Sequence, residues 1–319
     1  MRVLVTGGAG YIGSHATRAL LDAGLAVTVL DDLSTGHADA VDPRARFVHG
    51  SLHDPSAVGG ALEGCEAVLH FAAFSIVSES CERPLDYWRN NVGGSLNLLR
   101  AMEDRGVRRL LFSSTAATYG IPDTMPIHED ASQRPINPYG ATKLAVESAI
   151  RDHASASPGF AFAILRYFNV AGCAFGLGER HFPETHLVPI VLQAASGKRS
   201  HVSIFGTDYD TPDGTCVRDY VHVHDLVDAH IEALLALQDG DARVYNVGSG
   251  RGWSVREVME AAKEVTGVDF EVKTGTRRAG DPPVLVTDPG RIRKELGWSA
   301  RRSDLRQILA DHWEWSRSR

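Results

Sequence analysis

Tyr139 and Lys143 stand four residues apart in a segment opened by Asn137-Pro138. Asparagine caps helices and proline suits the first helical position, so the pattern, continued through Leu144 and Val146, predicts a helix carrying both side chains on one face. An ammonium beside a phenol favours the phenolate. A tyrosine held in that way can take a proton from a hydroxyl near neutral pH. Alone, the spacing is better read as a surface pair that met by chance. Ser113-Ser114-Thr115 follows the apolar run Leu110 to Phe112. That places hydroxyls at the carboxyl edge of a strand, where open parallel sheets bind ligands, although a strand-end cap would look the same.

A second group of residues changes the odds. Val3 to Thr6 feeds Gly7-Gly8-Ala9-Gly10-Tyr11-Ile12-Gly13 and then an apolar helix. A glycine turn at a helix start offers backbone amides to a pyrophosphate. The spacing Gly7-x-x-Gly10-x-x-Gly13 differs from G-x-G-x-x-G and by itself is a weak signal. Asp31 ends the next apolar strand, near the ~20-residue offset at which an acid meets the adenosine ribose. An acid there repels a 2′-phosphate, and no arginine follows closely, so the expected cofactor is NAD rather than NADP. A base beside a nicotinamide points to hydride transfer from an alcohol, because the cofactor accepts the hydride while the protein supplies base and orientation.

The elements that must position these groups follow from the hydrophobic pattern. Val3 to Val5, Ala26 to Leu30, Ala67 to Phe71, Leu110 to Phe112 and Ala161 to Leu165 read as strands buried on both faces. Helical stretches such as Gly13 to Ala23 and Asn91 to Asp104 lie between them. The expected fold class is α/β, a Rossmann-type doubly wound parallel sheet with a smaller, irregular C-terminal substrate domain. The expected boundaries are 1–170 for the NAD-binding domain and 171–319 for the second, with a return strand near Val244 to Val247. Asp225 is expected to cap a helix running through Leu237, with Asp228 in its first turn.

Composition excludes other classes. The chain has 319 residues, 43% hydrophobic and 23% charged, which suits a globular protein and not a disordered or fibrous one. Its net charge of -7 argues against nucleic-acid and anionic-membrane partners. Cys65, Cys81, Cys173 and Cys216 form no C-x-x-C pair, so neither a zinc ribbon nor a disulfide framework is suggested. No stretch approaches the ~18 apolar residues of a membrane span, and no charged-then-apolar leader opens the chain. A reducing cytosol is expected.

With these motifs in hand, the sequence resembles the extended short-chain dehydrogenase/reductase family and, within it, the UDP-glucose 4-epimerases. The resemblance covers essentially the whole chain. It rests on Thr6 to His15, His70-Phe71-Ala72-Ala73, Asn90-Asn91-Val92, Ser113 to Gly120, Pro138 to Lys143, Leu165-Arg166-Tyr167-Phe168-Asn169, and Phe205 to Tyr209 with Gly214 to Tyr220. The resemblance implies a redox cycle without net oxidation: Tyr139 takes the proton of the sugar 4-hydroxyl, Thr115 orients the 4-oxygen, and Lys143 holds the nicotinamide ribose and lowers the tyrosine pKa. It implies that NAD is bound by Gly7, Gly10, Tyr11, Ile12, Gly13, Asp31, Asp32, Ser51, Leu52, Phe71, Ala72, Ala73, Asn90, Tyr139, Lys143 and Phe168. Asn169, Arg218, Arg278 and Asp281 match positions that hold the UDP moiety, with His186, Leu187 and Phe205 lining it. A homodimer is implied as well. Ser75 stands where family members often carry lysine, Ser51 where they often carry aspartate, and Thr115 replaces the commoner serine.

Dehydratase chemistry would need an acid pair after Thr115, where Ala116 and Ala117 stand. Two alternatives stay open: epimerisation of a UDP-N-acetylhexosamine or UDP-pentose, and a non-catalytic NAD-sensing regulator. His222 and His224 could face one side with Asp225 nearby as a metal set, but no third ligand has matching spacing, Asp225 is better used as a helix cap, and no metal is expected. Trp313 and Trp315 read as packing aromatics, and the run Arg291, Arg293, Lys294 as a solvated helix face.

Overall fold

The computed structural model describes residues 1–277 and 281–318. Chain order begins β1 (Arg2–Thr6), α1 (Tyr11–Asp22), β2 (Ala26–Asp31), β3 (Arg46–His49), α2 (Pro55–Ala61), β4 (Ala67–His70). It continues α3 (Val77–Glu82), α4 (Pro84–Tyr87), α5 (Gly94–Arg105), β5 (Arg109–Thr115), α6 (Pro138–Ala156) and β6 (Ala161–Tyr167). Then come β7 (Asn169–Ala171), α7 (Leu187–Ala195), β8 (His201–Phe205), β9 (Val217–His222), α8 (Val223–Ala236) and β10 (Ala242–Val247). The chain closes with β11 (Gly252–Ser254), α9 (Val255–Thr266), β12 (Glu271–Gly275), β13 (Val284–Leu285), α10 (Gly290–Leu296) and α11 (Leu305–Arg317).

The main sheet has the order β10-β6-β5-β4-β1-β2-β3. Strands β6 through β3 pair in parallel. Chain order reverses between β1 and β4, the switch point at which doubly wound sheets bind ligands beyond their carboxyl ends. The apolar runs follow from burial on both faces: Val3, Leu4, Val5, Val68, Leu69, Leu110 and Leu111 are each at most 1% exposed. Each such side chain contributes about 1.5–3 kcal/mol, so the sheet does not depend on the polar residues at its edge for stability. Edge strand β3 escapes the pattern because Arg46-Phe47-Val48-His49 lies on the rim with Phe47 38% exposed.

The chain divides into two compact units that are discontinuous in sequence. The first comprises Met1–Ile121, Ser132–Tyr167 and Val227–Tyr245; the second comprises Pro122–Ala131, Phe168–Leu226 and Asn246–Arg319. A single boundary at 170/171 does not describe this, because most of α8 and β10 cluster with the first unit. The second unit has its own core, where Val191, Leu192, Val258, Met259, Ala262, Ile308 and Leu309 join α7, α9 and α11. Its sheet pairs β11 and β13 with β9, and β7 also pairs with β9; β8 and β12 form a separate ribbon.

Two local expectations change. The helix expected from Asn91 begins earlier, through a π-helical turn at Trp88–Gly93 that runs into α5. Helix α8 begins at Val223, so Asp225 lies within its first turn rather than at its cap. Its buried carboxylate instead accepts from the Arg302 backbone N–H at 2.7 Å and the Ser303 hydroxyl at 2.7 Å. Nearby, the His224 N–H donates to His222 Nδ1 at 3.0 Å.

Candidate active site

In the first unit, the turn between β1 and α1 is built so tightly that only glycine fits. Gly7 has φ +72°, and a Cβ there would fall 2.6 Å from the Ala72 nitrogen; at Gly13 it would fall 2.1 Å from the Gly7 carbonyl oxygen. The loops after β1 and β4 are thereby pressed together at the switch point. Gly10 precedes Tyr11 and Ile12 at the helix start and brings no capping side chain. Helix N-termini of that kind favour anions. Asp31 ends β2 beside the turn, buried, with Oδ2 accepting from the Ala9 N–H at 2.9 Å and Oδ1 from the Leu33 N–H at 2.8 Å. Burial raises its pKa, and these two N–H bonds oppose the rise. Close backbone, an uncapped helix start and an oriented carboxylate fit a dinucleotide.

The neighbouring residues fall into place around this turn. Asp32 is exposed and accepts from the Ser34 N–H. Ser51 and Leu52 follow β3, Ser51 accepting from the His53 N–H and the Leu52 carbonyl from Asn97 Nδ2. Phe71, Ala72 and Ala73 lead out of β4, partly buried, with the Phe71 ring 5.0 Å from that of His230. Asn90 donates to Asn91 Oδ1. The more structural of the pair is Asn91, 2% exposed, which bonds both the N–H and the carbonyl of Phe74 and donates to Thr142 Oγ1 at 3.1 Å. It ties the post-β4 loop to α6.

Helix α6 starts as its residues dictate: Asn137 Oδ1 accepts from the Gly140 N–H at 2.8 Å, and Pro138 takes the first position. Gly140 lets that start approach the 3-10 turn after β5, since a Cβ there would lie 2.5 Å from the Ala117 carbonyl oxygen. Tyr139 is thereby brought near Thr115 at the end of β5. Lys143, 3% exposed, donates from Nζ to the Ser113 carbonyl at 2.7 Å and lies 4.9 Å above the Phe112 ring.

Sequence reasoning expected the ammonium to hold the phenol ionised, and the arrangement corrects this. Burial pushes Tyr139 up to about 12, against the lowering effect of the neighbouring Thr115 hydroxyl. Burial draws Lys143 down to about 7, with Glu147 opposing. The ammonium is turned toward the Ser113 carbonyl.

Beneath this pair lies a network the sequence reading missed. Glu147, one turn beyond Lys143 and 0% exposed, accepts from Ser114 Oγ at 2.5 Å and from Arg166 Nε and Nη2 at 3.0 and 2.7 Å. Arg166 also donates to the Tyr119 hydroxyl at 2.7 Å. Burial opposes the Glu147 charge, but Arg166 outweighs it and holds the carboxyl below its ordinary range. Two signals were available: the second i,i+4 step from Lys143 to Glu147, and an arginine inside an apolar strand.

In the second unit, Phe168 is buried with its N–H donating to the Val247 carbonyl, and Asn169 is exposed at the start of β7. Arg218 on β9 and Asp281 form an ion pair, with Arg218 Nη2 donating to Asp281 Oδ1. His186 precedes Leu187 at the start of α7. Burial opposes a charge on His186, but Glu179 and Glu184 outweigh it and push its pKa up to about 10. Phe205 ends β8, 39% exposed. Arg278 lies outside the described residues. Trp313 packs on the second core and Trp315 Nε1 donates to the Gly176 carbonyl, as packing aromatics would.

The family model described as NAD dependent epimerase/dehydratase family matches residues 3–248. A UDP-glucose 4-epimerase of Lactobacillus helveticus is 49% identical over 323 residues, covering 100% of this chain and 98% of that protein. A crystal structure of a UDP-glucose 4-epimerase aligns with TM-score 0.96 at 46% identity, over 100% of this chain and 98% of that one. The enzyme from Stenotrophomonas maltophila, solved with bound NAD and formylated UDP-arabinopyranose, gives TM-score 0.96 at 41% identity with the same coverage.

Proposed function

The chain belongs to the NAD dependent epimerase/dehydratase family, and from that premise we propose that it is an isomerase interconverting UDP-glucose and UDP-galactose at the sugar C4. The observation that carries this reading is the placement of Tyr139 and Lys143 one turn apart on α6, with Lys143 Nζ held by the Ser113 carbonyl near the carboxyl end of β5 in the unit that holds the glycine turn. Bound NAD supplies a reversible hydride acceptor for C4 and a positive ring that favours the phenolate. Tyr139 takes the 4-hydroxyl proton and returns it once the 4-keto sugar has presented its other face. Thr115 orients the 4-oxygen.

Lys143 holds the nicotinamide ribose. The amides around Gly7, Gly10, Tyr11, Ile12 and Gly13 hold the pyrophosphate, and Asp31 holds the adenosine ribose. Asp32, Ser51, Leu52, Phe71, Ala72, Ala73, Asn90 and Phe168 complete the cofactor set. Arg218 forks onto the UDP diphosphate, since a guanidinium matches phosphate oxygens in a chain of net charge -7. Asn169, His186, Leu187, Phe205, Arg278 and Asp281 complete the nucleotide set.

The protein works in galactose metabolism in the cytosol, a setting supported by four free cysteines. Among the described residues no helix is long and apolar enough to cross a membrane. It acts as a homodimer. Leu85, Trp88 and Leu96, 80%, 41% and 49% exposed at helical spacing, offer an apolar strip that a second copy would cover. The test of the reaction is incubation of purified protein with UDP-galactose and no added cofactor. UDP-glucose should form without net nicotinamide reduction; steady accumulation of NADH would instead identify a dehydrogenase.

A further inference from the structure

The sequence carries two short Glu-x-His units, Glu179-Arg180-His181 and Glu184-Thr185-His186. The fold of the second unit brings all four acidic and imidazole side chains to one point, with one donor atom from each lying within 4.8 Å of every other. Glu179 Oε1 is 2.9 Å from His181 Nδ1 and 2.8 Å from His186 Nδ1. Glu184 Oε1 is 2.9 Å from His186 Nδ1.

We propose that Glu179, His181, Glu184 and His186 form a binding site for a divalent transition-metal cation, with zinc as the representative ion. Donors about 2.0–2.2 Å from a tetrahedral zinc sit roughly 3.3–3.5 Å from one another. The observed separations bracket that value, so modest side-chain shifts suffice. His181 and His186 have the freedom for them, with side chains 24% and 42% exposed, while the two carboxylates are buried and fixed. Two imidazoles with two carboxylates suit zinc and its neighbours better than calcium or magnesium, which prefer oxygen alone.

A second observation is independent of the spacing. Glu179 Oε2 is buried and has no hydrogen-bond partner among the described residues. An orphaned buried carboxylate oxygen calls for an explanation, and a coordinated cation supplies one. With four protein ligands the site is closed and structural, and His186, engaged through Nδ1, keeps Nε2 for the nucleotide set proposed above. It would fasten the segment 179–186 to the start of α7. It is also distinct from the His222, His224 and Asp225 set raised by the sequence.

The test uses the full-length protein, stripped with EDTA, desalted and titrated with zinc chloride by calorimetry, with metal content measured after a second desalting. One zinc per chain should be retained. His181→Ala and Glu179→Gln should each weaken binding at least tenfold, while His128→Ala, at an exposed histidine outside the cluster, should not. Co²⁺ loading should give the visible absorption of a four-coordinate ion in wild type and not in His181→Ala. If Glu179→Gln fails to fold, His181→Ala decides alone, because its side chain is partly exposed. Retention well below one equivalent, or equal affinity in wild type and His181→Ala, would overturn the proposal.

Discussion

The Lys143 ammonium donates to the Ser113 carbonyl oxygen at 2.7 Å from a position 3% exposed. Holding a charge there costs free energy, which is why burial draws the Lys143 pKa from 10.5 down to about 7. Below about pH 7 the lysine is protonated in both folded and unfolded chains. Between about 7 and 10.5 the unfolded chain holds a proton that the native site has lost, so the native state gains stability as pH rises through that window. Lys143→Met removes the term. The unfolding free energy of wild type minus that of the variant should climb with pH across the window, by on the order of 4 kcal/mol at 1.36 kcal/mol per pKa unit. A flat difference in denaturant titrations at pH 7 and 10 would contradict the burial argument.

Glu147→Gln tests the network below the site. It leaves the Arg166 guanidinium buried without its counter-charge, and breaking one side of a buried pair costs about 3–5 kcal/mol. The denaturation midpoint should fall accordingly. The Arg166→Met/Glu147→Leu double variant, which removes both charges, should recover much of the loss. Equal stability of wild type and Glu147→Gln would mean that the pair is not electrostatically important.

Gly13→Ala tests the cofactor turn. Its Cβ would sit 2.1 Å from the Gly7 carbonyl oxygen, a contact no side chain can accept without moving the turn. The purified variant should carry little NAD while its circular dichroism stays native, because the buried apolar strands are untouched. NAD content equal to wild type would show that the turn is not the pyrophosphate site.

Arg218→Gln tests the nucleotide site. Loss of one charge-assisted contact of about 1.5–3 kcal/mol should raise KM for the UDP-sugar roughly 10- to 150-fold, with a smaller change in kcat. A fall in kcat at unchanged KM would move Arg218 from binding to the chemical step.

Much of the fold was legible because β1, β2, β4, β5 and β6 are apolar runs buried on both faces, and such runs depend little on context. β3 was not, because a rim strand with Arg46 and His49 has no such run. The glycine turn, Asn137, Tyr139 and Lys143 could be read from local spacing alone. The raised pKa of Tyr139 could not, because it comes from burial, which only tertiary packing supplies. Glu147 and Arg166 were visible as an i,i+4 step and a charge in an apolar strand, but only tertiary contact shows that they satisfy each other. The Glu-x-His units went unremarked for the same reason, since nothing in their sequence spacing shows that the chain folds back on itself.

The most direct measurement is turnover of UDP-galactose by Tyr139→Phe in protein that still carries NAD. Removing one hydroxyl leaves the ring, the helix and the glycine turn in place, so NAD content and thermal stability should stay close to wild type. The rate should fall by about 10²–10⁴, the range for loss of a general base. Turnover within a few-fold of wild type would contradict the account, since the proton would then leave the sugar by another route.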